Sequence, residues 1–130
     1  MKAAKYVIRL TCVLGFFLSL TCAAYPMNDT EKAKIEYLIS SVSELKGAKF
    51  IRNGSEYDTA AAAKHLRRKL KSAGDKISTA EEFIEYCATR SSISGEPYTI
   101  KLQSGFIQSG AYFREKLKSY TGKADRQKSS

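Results

Sequence analysis

The chain has 130 residues, with 22 lysines and arginines against 13 acidic residues, and its formal net charge is +9. This length allows a single domain, and neither an internal repeat nor a long linker divides it. The sequence has no Gly-rich phosphate loop, metal-binding motif or nucleophile elbow, which excludes the enzyme classes built on those motifs.

Residues 1–24 have the composition of a secretory signal peptide. Lys2 and Lys5 precede an apolar stretch that is densest from Leu10 to Leu20, and small residues follow up to Ala24. The apolar stretch is shorter than the ~20 residues that a permanent membrane helix needs. We therefore predict cleavage after about Ala24 and export, in a bacterium to the periplasm.

The alternative is a lipoprotein anchored at Cys22. A lipidation signal has Leu three residues before the modified cysteine and a very small residue directly before it. This chain has Ser19 and Thr21 at those positions. We expect ordinary cleavage and keep lipidation at Cys22 as the alternative.

Cleavage changes the cysteine count and the charge. It removes Cys12, Cys22 and three basic residues, which leaves Cys87 as the only thiol and a net charge of +6. One thiol cannot form an intramolecular disulfide. Cys87 and His65, the only histidine, are also too few for the four ligands of a structural zinc site. We predict no bound metal and no cofactor.

Residues 25–113 predict one α+β domain, with three to four helices packed against a small antiparallel hairpin or sheet. Apolar residues at helical spacing predict the helices, of which the last is the weakest. They cover about Thr30–Lys46, about Thr59–Ser72, a third segment that starts with a capping box at Ser78–Glu81 or Thr79–Glu82, and about Ser109–Tyr120.

Three short segments predict strands. Residues 49–52 run into Asn53-Gly54, a pair that tolerates the backbone of a tight turn. Residues 98–102 alternate apolar and polar side chains, as in a half-buried strand. A further short strand around Phe106-Ile107 could pair with it after a turn at Ser104-Gly105.

Residues 114–130 predict the end of the last helix and a basic tail without fixed structure. This segment contributes +4 of the net charge of +6 and has no apolar periodicity after Tyr120. We interpret it as solvated. The alternative is a weak contact with an anionic membrane surface.

Several short segments, in their order along the chain, resemble the YfeK-like family of small exported bacterial proteins, which is classed as a domain of unknown function. They are FIRNG at 50–54, Tyr57, HLR at 65–67, KL at 69–70, TAEEFI at 79–84, SS at 91–92 and SGEPY at 94–98. The resemblance runs from about Thr30 to Leu102, and Cys87 and the basic tail depart from it. It implies a place in the bacterial envelope, and it implies no activity.

The candidate ligand- or partner-binding residues are basic, amide and hydroxyl side chains near turns and loops. They are Arg52, Asn53, His65, Arg67, Ser92, Ser94 and Tyr98. Arginines can grip a carboxylate or phosphate through two parallel hydrogen bonds. Hydroxyls on a loop held by rigid elements are a common kind of binding group.

These residue types also have a purely structural interpretation. Arg52 and Arg67 could pair with Glu81, Glu82 or Glu56, and we expect Arg52 to reach Glu81 or Glu82 at the start of the third helix. His65 could bond Tyr57 or a backbone carbonyl, and the serines could serve only to shape the turn. Cys87 lies on an apolar stripe, so we expect a buried and inert thiol.

We therefore predict a non-enzymatic exported domain that binds or assists another envelope component, either a protein or an anionic ligand. The alternative is a small envelope enzyme or anionic-ligand binder that uses His65 with Arg52 or Arg67. We expect no nucleic-acid partner, because the basic residues lack interleaved aromatics and export removes the usual nucleic acids.

Overall fold

The structure is a computed structural model, and it describes residues 26–121. The predicted signal peptide, the alternative lipidation at Cys22 and the part of the basic tail beyond Thr121 lie outside the described residues. Within them, four helices and a four-stranded antiparallel sheet confirm the predicted α+β class.

Helix α1 (Asp29–Ser43) begins at an asparagine cap, since the Asn28 side chain accepts a hydrogen bond from the Glu31 amide at 2.9 Å. Its apolar face is buried as its spacing predicted. The helix ends before the predicted Lys46, because the chain reverses toward the sheet through Gly47 at φ +71°.

Strands β1 (Lys49–Arg52), β2 (Ser55–Tyr57), β3 (Thr99–Leu102) and β4 (Gly105–Gln108) form one sheet in the order β2-β1-β3-β4. Phe50 of β1 lies opposite Ile100 of β3, and both side chains belong to the core that the sheet shares with the helices. The other sheet face carries exposed lysines. The antiparallel sheet option of the prediction is confirmed.

Positive φ angles shape the turn between β1 and β2. Asn53 and Gly54 have φ angles of +49° and +76°, the two-residue geometry that suits a right-twisted hairpin. The β3–β4 turn lies at Gln103-Ser104, one residue before the predicted position, because Gly105 already starts β4.

Helix α2 (Thr59–Ala73) is capped by Asp58, whose carboxylate accepts a hydrogen bond from the Ala61 amide at 2.7 Å. Gly74, at φ +53°, ends the helix and opens a short 3₁₀ turn (Gly74–Lys76). The helix therefore extends one residue beyond the predicted end at about Ser72.

Helix α3 (Ala80–Phe83) starts with a complete capping box between Thr79 and Glu82, the second of the two predicted pairs. It continues as a wider π-helical turn (Ile84–Ala88) before the chain leaves the helix. The Thr89 hydroxyl donates to the Ile84 carbonyl at 2.7 Å and holds that wide turn.

Helix α4 (Ser109–Lys118) closes the core against α1 and the π-helical turn, and it ends two residues before the predicted Tyr120. Phe113 meets Phe83 edge to face, with ring centroids 6.4 Å apart. The Tyr112 hydroxyl donates to the Ser41 carbonyl at 3.2 Å.

None of the helices in residues 26–121 is long and apolar enough to cross a membrane.

Candidate anion-binding site

A cleft of about 650 Å³ lies between α2, the end of β1 and the π-helical turn. Four cationic side chains line it, namely Arg52, Arg68, Lys69 and Lys76. Within residues 26–121, none of the residues that line this cleft is acidic. The cleft therefore concentrates positive charge in a concave surface, which attracts anions.

Helix α2 supplies most of the polar wall through one face. His65, Arg68, Lys69 and Ser72 follow one another at helical spacing and line the cleft together. Of these, only His65 was among the predicted binding residues. The spacing was visible in the sequence and could have identified the other three.

Arg52 reaches the cleft from the end of β1. Its Nε is buried and has no hydrogen-bond partner among the described residues, where Arg52 also forms no ion pair. The predicted pairing of Arg52 with Glu81 or Glu82 is therefore wrong. The Glu82 carboxylate instead accepts the amides of Ser78 and Thr79, at 2.7 and 3.2 Å, as part of the capping box.

His65 forms the junction between α2 and β3. Its Nε2 lies 3.4 Å from the Tyr98 hydroxyl, so Tyr57, one of the two partners that the sequence suggested, is wrong. Burial, together with the positive charges of Arg52, Lys69 and Arg68, lowers the pKa of His65 from 6.5 to about 4. At neutral pH His65 is therefore an uncharged group between cations.

Lys69 is held in place by two oxygen atoms. Its Nζ donates to the Arg90 carbonyl at 3.1 Å and to the Tyr98 hydroxyl at 3.3 Å, and it lies 5.1 Å from the centre of the Tyr98 ring. Burial lowers the pKa of Lys69 as well. Neither oxygen atom comes from a carboxylate, so the lysine charge is solvated without being neutralised.

The serine-rich loop (residues 91–94) is joined to the β1–β2 turn beside the cleft. The Ser94 hydroxyl donates to Asn53 Oδ1 at 2.6 Å, and Asn53 Nδ2 lies 3.5 Å from the Ser91 hydroxyl. Ser91 is buried and also accepts the amides of Ile93 and Ser94. Asn53 and Ser94 thus position the rim, and the exposed Ser92 lines the cleft.

Arg67 lies outside the cleft, although the sequence analysis grouped it with Arg52 and His65. Its guanidinium donates two hydrogen bonds, both 2.6 Å long, to the carboxylate of Glu36 on α1. The structural interpretation was right about an ion pair and wrong about the partner. Of the partners it named, Glu56 pairs instead with Lys101 at 3.1 Å.

A smaller cavity of about 220 Å³ adjoins the cleft. Arg52, His65 and Arg68 line both spaces and therefore lie at their junction. The remaining walls of the smaller cavity are mostly apolar or aromatic. They include Phe50, Tyr57, Ala61, Ala62, Leu66 and Tyr98.

Cys87 belongs to the floor of the cleft and is 1% exposed, which confirms its predicted burial. Burial raises the pKa of its thiol, although Lys69 opposes that shift. A thiol that is buried and protonated is a poor nucleophile. Within residues 26–121 no group of three histidine, cysteine or acidic side chains is arranged to hold a metal ion.

Comparison with known proteins extends over most of the described residues. The sequence profile of the "Family of unknown function (DUF5329)" matches residues 29–121. The "Uncharacterized protein YfeK" of Salmonella typhimurium (strain LT2) is 34% identical over 90 residues, which cover 69% of this chain and 75% of the relative. No solved structure matches the chain significantly.

Proposed function

The chain belongs to the Family of unknown function (DUF5329), and we propose its function from the geometry of the cleft. This membership confirms the YfeK-like resemblance and brings no activity with it. We propose that it is a binding domain that holds a small anionic ligand, a carboxylate or a phosphate, between Arg52, Arg68 and Lys69. The ligand would belong to an envelope component.

The observation that carries this proposal is the state of Arg52. A guanidinium Nε that is buried without an acceptor costs free energy, because the donor has lost water and gained nothing in return. The cations around it increase that cost. An anion in the cleft would supply the missing negative charge, and a small shift of the guanidinium would let it accept a hydrogen bond from Nε, which has almost no accessible surface as it stands.

The same surroundings favour binding over catalysis. A nucleophilic mechanism needs an activated nucleophile within reach of a base. The thiol of Cys87 is buried and its pKa is raised, and His65 contacts the Tyr98 hydroxyl. The enzyme alternative based on His65 with Arg67 also loses its arginine, since Arg67 is occupied by Glu36.

Proton–nitrogen correlation spectra test the proposal directly. Propionate and inorganic phosphate are titrated separately into the protein at constant ionic strength, with chloride as the control anion. We expect the Nε–Hε signal of Arg52 to move and saturate with at least one of them, while that of Arg67 stays in place. Equal, non-saturating shifts at Arg52 and Arg67 would refute a specific anion site.

Neighbouring variants provide the control. Arg68→Gln removes a cation from the cleft, whereas Arg67→Gln removes one that already has a carboxylate. We expect Arg68→Gln to weaken anion binding by at least about threefold, and Arg67→Gln to leave it unchanged.

We also propose that the domain acts after export, on the strength of the charged, apolar and small-residue order of residues 1–24. The intact mass of the exported protein checks this. We expect an amino terminus at Tyr25 without lipid, and a diacylglycerol group on Cys22 would contradict the proposed processing.

A further inference from the structure

The two adjoining spaces differ in chemistry. The cleft of about 650 Å³ is lined by cations and small polar groups, whereas the cavity of about 220 Å³ has mostly apolar walls. Arg52, His65 and Arg68 stand between them. A molecule seated at this junction meets positive charge on one side and apolar side chains on the other.

We propose that the ligand is a carboxylate that bears one apolar group, for which a benzyl group is the model. Its carboxylate lies between Arg52 and Arg68, and its apolar group fills the smaller cavity. This inference rests on the proposed anion-binding function and specifies the class of ligand. A free carboxylic acid and the C-terminal residue of a peptide share this chemistry.

The lining of the smaller cavity favours a planar apolar group such as a benzyl group. The Tyr57 and Tyr98 rings and the Leu66 side chain are suitable neighbours for such a group.

A carboxylate suits this junction better than a phosphate. The anion must sit beside apolar walls, and a monoanion loses less hydration there than a dianion does. The side of a guanidinium that carries Nε and one Nη matches the two oxygen atoms of a carboxylate. Nε of Arg52 is the buried donor that lacks a partner within residues 26–121.

Matched probes separate the two parts of the ligand. They are 3-phenylpropionate, propionate, which lacks the ring, and 3-phenylpropionamide, which lacks the charge. We expect 3-phenylpropionate to bind at least about tenfold more tightly than propionate, because its ring leaves water. We expect the amide to bind at least about tenfold more weakly than 3-phenylpropionate, because it cannot pair with the arginines.

A filled-cavity variant locates the ring. Ala61 is exposed on the first turns of α2 and lines the smaller cavity, while Ala60, which is also exposed, lines neither space. We expect Ala61→Phe to remove the preference for 3-phenylpropionate over propionate. Ala60→Phe should retain the preference. Amide spectra with wild-type dispersion would show that both variants fold.

The source of the carboxylate is tested with N-acetyl-Gly-Phe and its C-terminal amide. Binding of the free peptide at least as tight as that of 3-phenylpropionate, and weak binding of its amide, would support the proposal with a peptide C-terminus as the source. Binding of 3-phenylpropionate with exclusion of the peptide would support it with a free acid.

Equal affinities for propionate and 3-phenylpropionate would overturn this inference and leave the proposed anion site intact. Tighter binding of inorganic phosphate than of 3-phenylpropionate would do the same. If neither propionate nor phosphate shifts the Arg52 signal, both the inference and the proposed function fail.

Discussion

Two consecutive arginines on α2 lie in opposite electrostatic surroundings. Arg67 faces α1 and shares both of its hydrogen bonds with the Glu36 carboxylate. Arg68 faces the cleft, together with Arg52 and Lys69, where no described lining residue is acidic. The difference separates a cation that holds two helices together from cations that are available to a ligand.

The strongest test of the cleft concerns Asn53, which lies in the β1–β2 turn at the rim of the cleft. Asn53 combines a positive φ with hydrogen bonds to the serine-rich loop. We expect Asn53→Ala to lower the free energy of unfolding by about 2–3 kcal/mol, since it adds backbone strain and removes those bonds.

Asn53→Gly is the matched control, because glycine accepts the positive φ and loses only the side-chain bonds. We expect it to cost about 1 kcal/mol in urea unfolding. Equal losses for the two variants would mean that the turn conformation contributes nothing. If Asn53→Ala lowered the free energy of unfolding by less than about 0.5 kcal/mol, the contacts of Asn53 at the rim would not contribute to stability.

The second test uses pH. The pKa of His65 is about 4 in the folded protein and 6.5 in the reference state. Between these values the unfolded chain binds more protons, so the stability contributed by neutral His65 is full above about pH 6.5 and is lost as the pH falls toward 4.

We expect this loss to be about 1–3 kcal/mol, with allowance for the partial exposure of the ring. Urea unfolding at pH 7 and pH 4.5 of the wild type and of His65→Gln measures it. Carboxylates contribute to both curves, so the difference between the two proteins isolates His65. If the free energy of unfolding changed equally with pH in the two proteins, the cations of the cleft would not lower the pKa of His65.

Cys87 tests whether the cleft floor is structural. Its side chain is buried against the core, so Cys87→Ala should lower the free energy of unfolding by about 1 kcal/mol and leave propionate binding unchanged. A bulky thiol reagent should label the native protein slowly. Rapid labelling would show instead that the thiol is accessible from the cleft.

The smallest expected effects belong to the two arginines themselves. The Arg67–Glu36 pair is about half exposed, with side-chain exposures of 51% and 56%. Arg67→Gln should therefore destabilise by about 0.3–1 kcal/mol at low salt. Arg68→Gln should leave stability unchanged or raise it by up to ~0.5 kcal/mol, because it relieves repulsion.

Unfolding curves at low and high salt measure both variants, and added salt should shrink both effects. Equal destabilisation by Arg67→Gln and Arg68→Gln would mean that Arg68 also has a structural partner, and the contrast between the two sides of α2 would disappear.

Local patterns were enough to predict most of the elements. Apolar spacing located the four helices, and the capping box at Thr79 and Glu82 and the Asn53-Gly54 turn lie where their residue types predicted. Such features depend on neighbours in sequence, which a single chain displays directly.

Long-range pairing was not predictable in the same way. Arg67 finds its carboxylate 31 positions earlier in the chain, and Asn53 meets Ser94 41 positions later. Arg67 was predicted at the site, where the structure has Arg68. The spacing of His65, Arg68 and Lys69 on one face of α2 was the usable signal.

Because the π-helical turn at Ile84–Ala88 forms one wall of the cleft, the shape of the cleft depends on the number of residues in this segment as well as on their identity. A π-turn accommodates one residue more than a regular α-turn, and each residue of an α-helix turns the next side chain by about 100°. Deleting one residue here would convert the π-turn into a regular α-turn, so the capping box at Thr79 and the relative orientation of the segments on the two sides would persist. The change would be confined to the cleft wall that contains Tyr86 and Cys87, which would lose one residue while the helix remained.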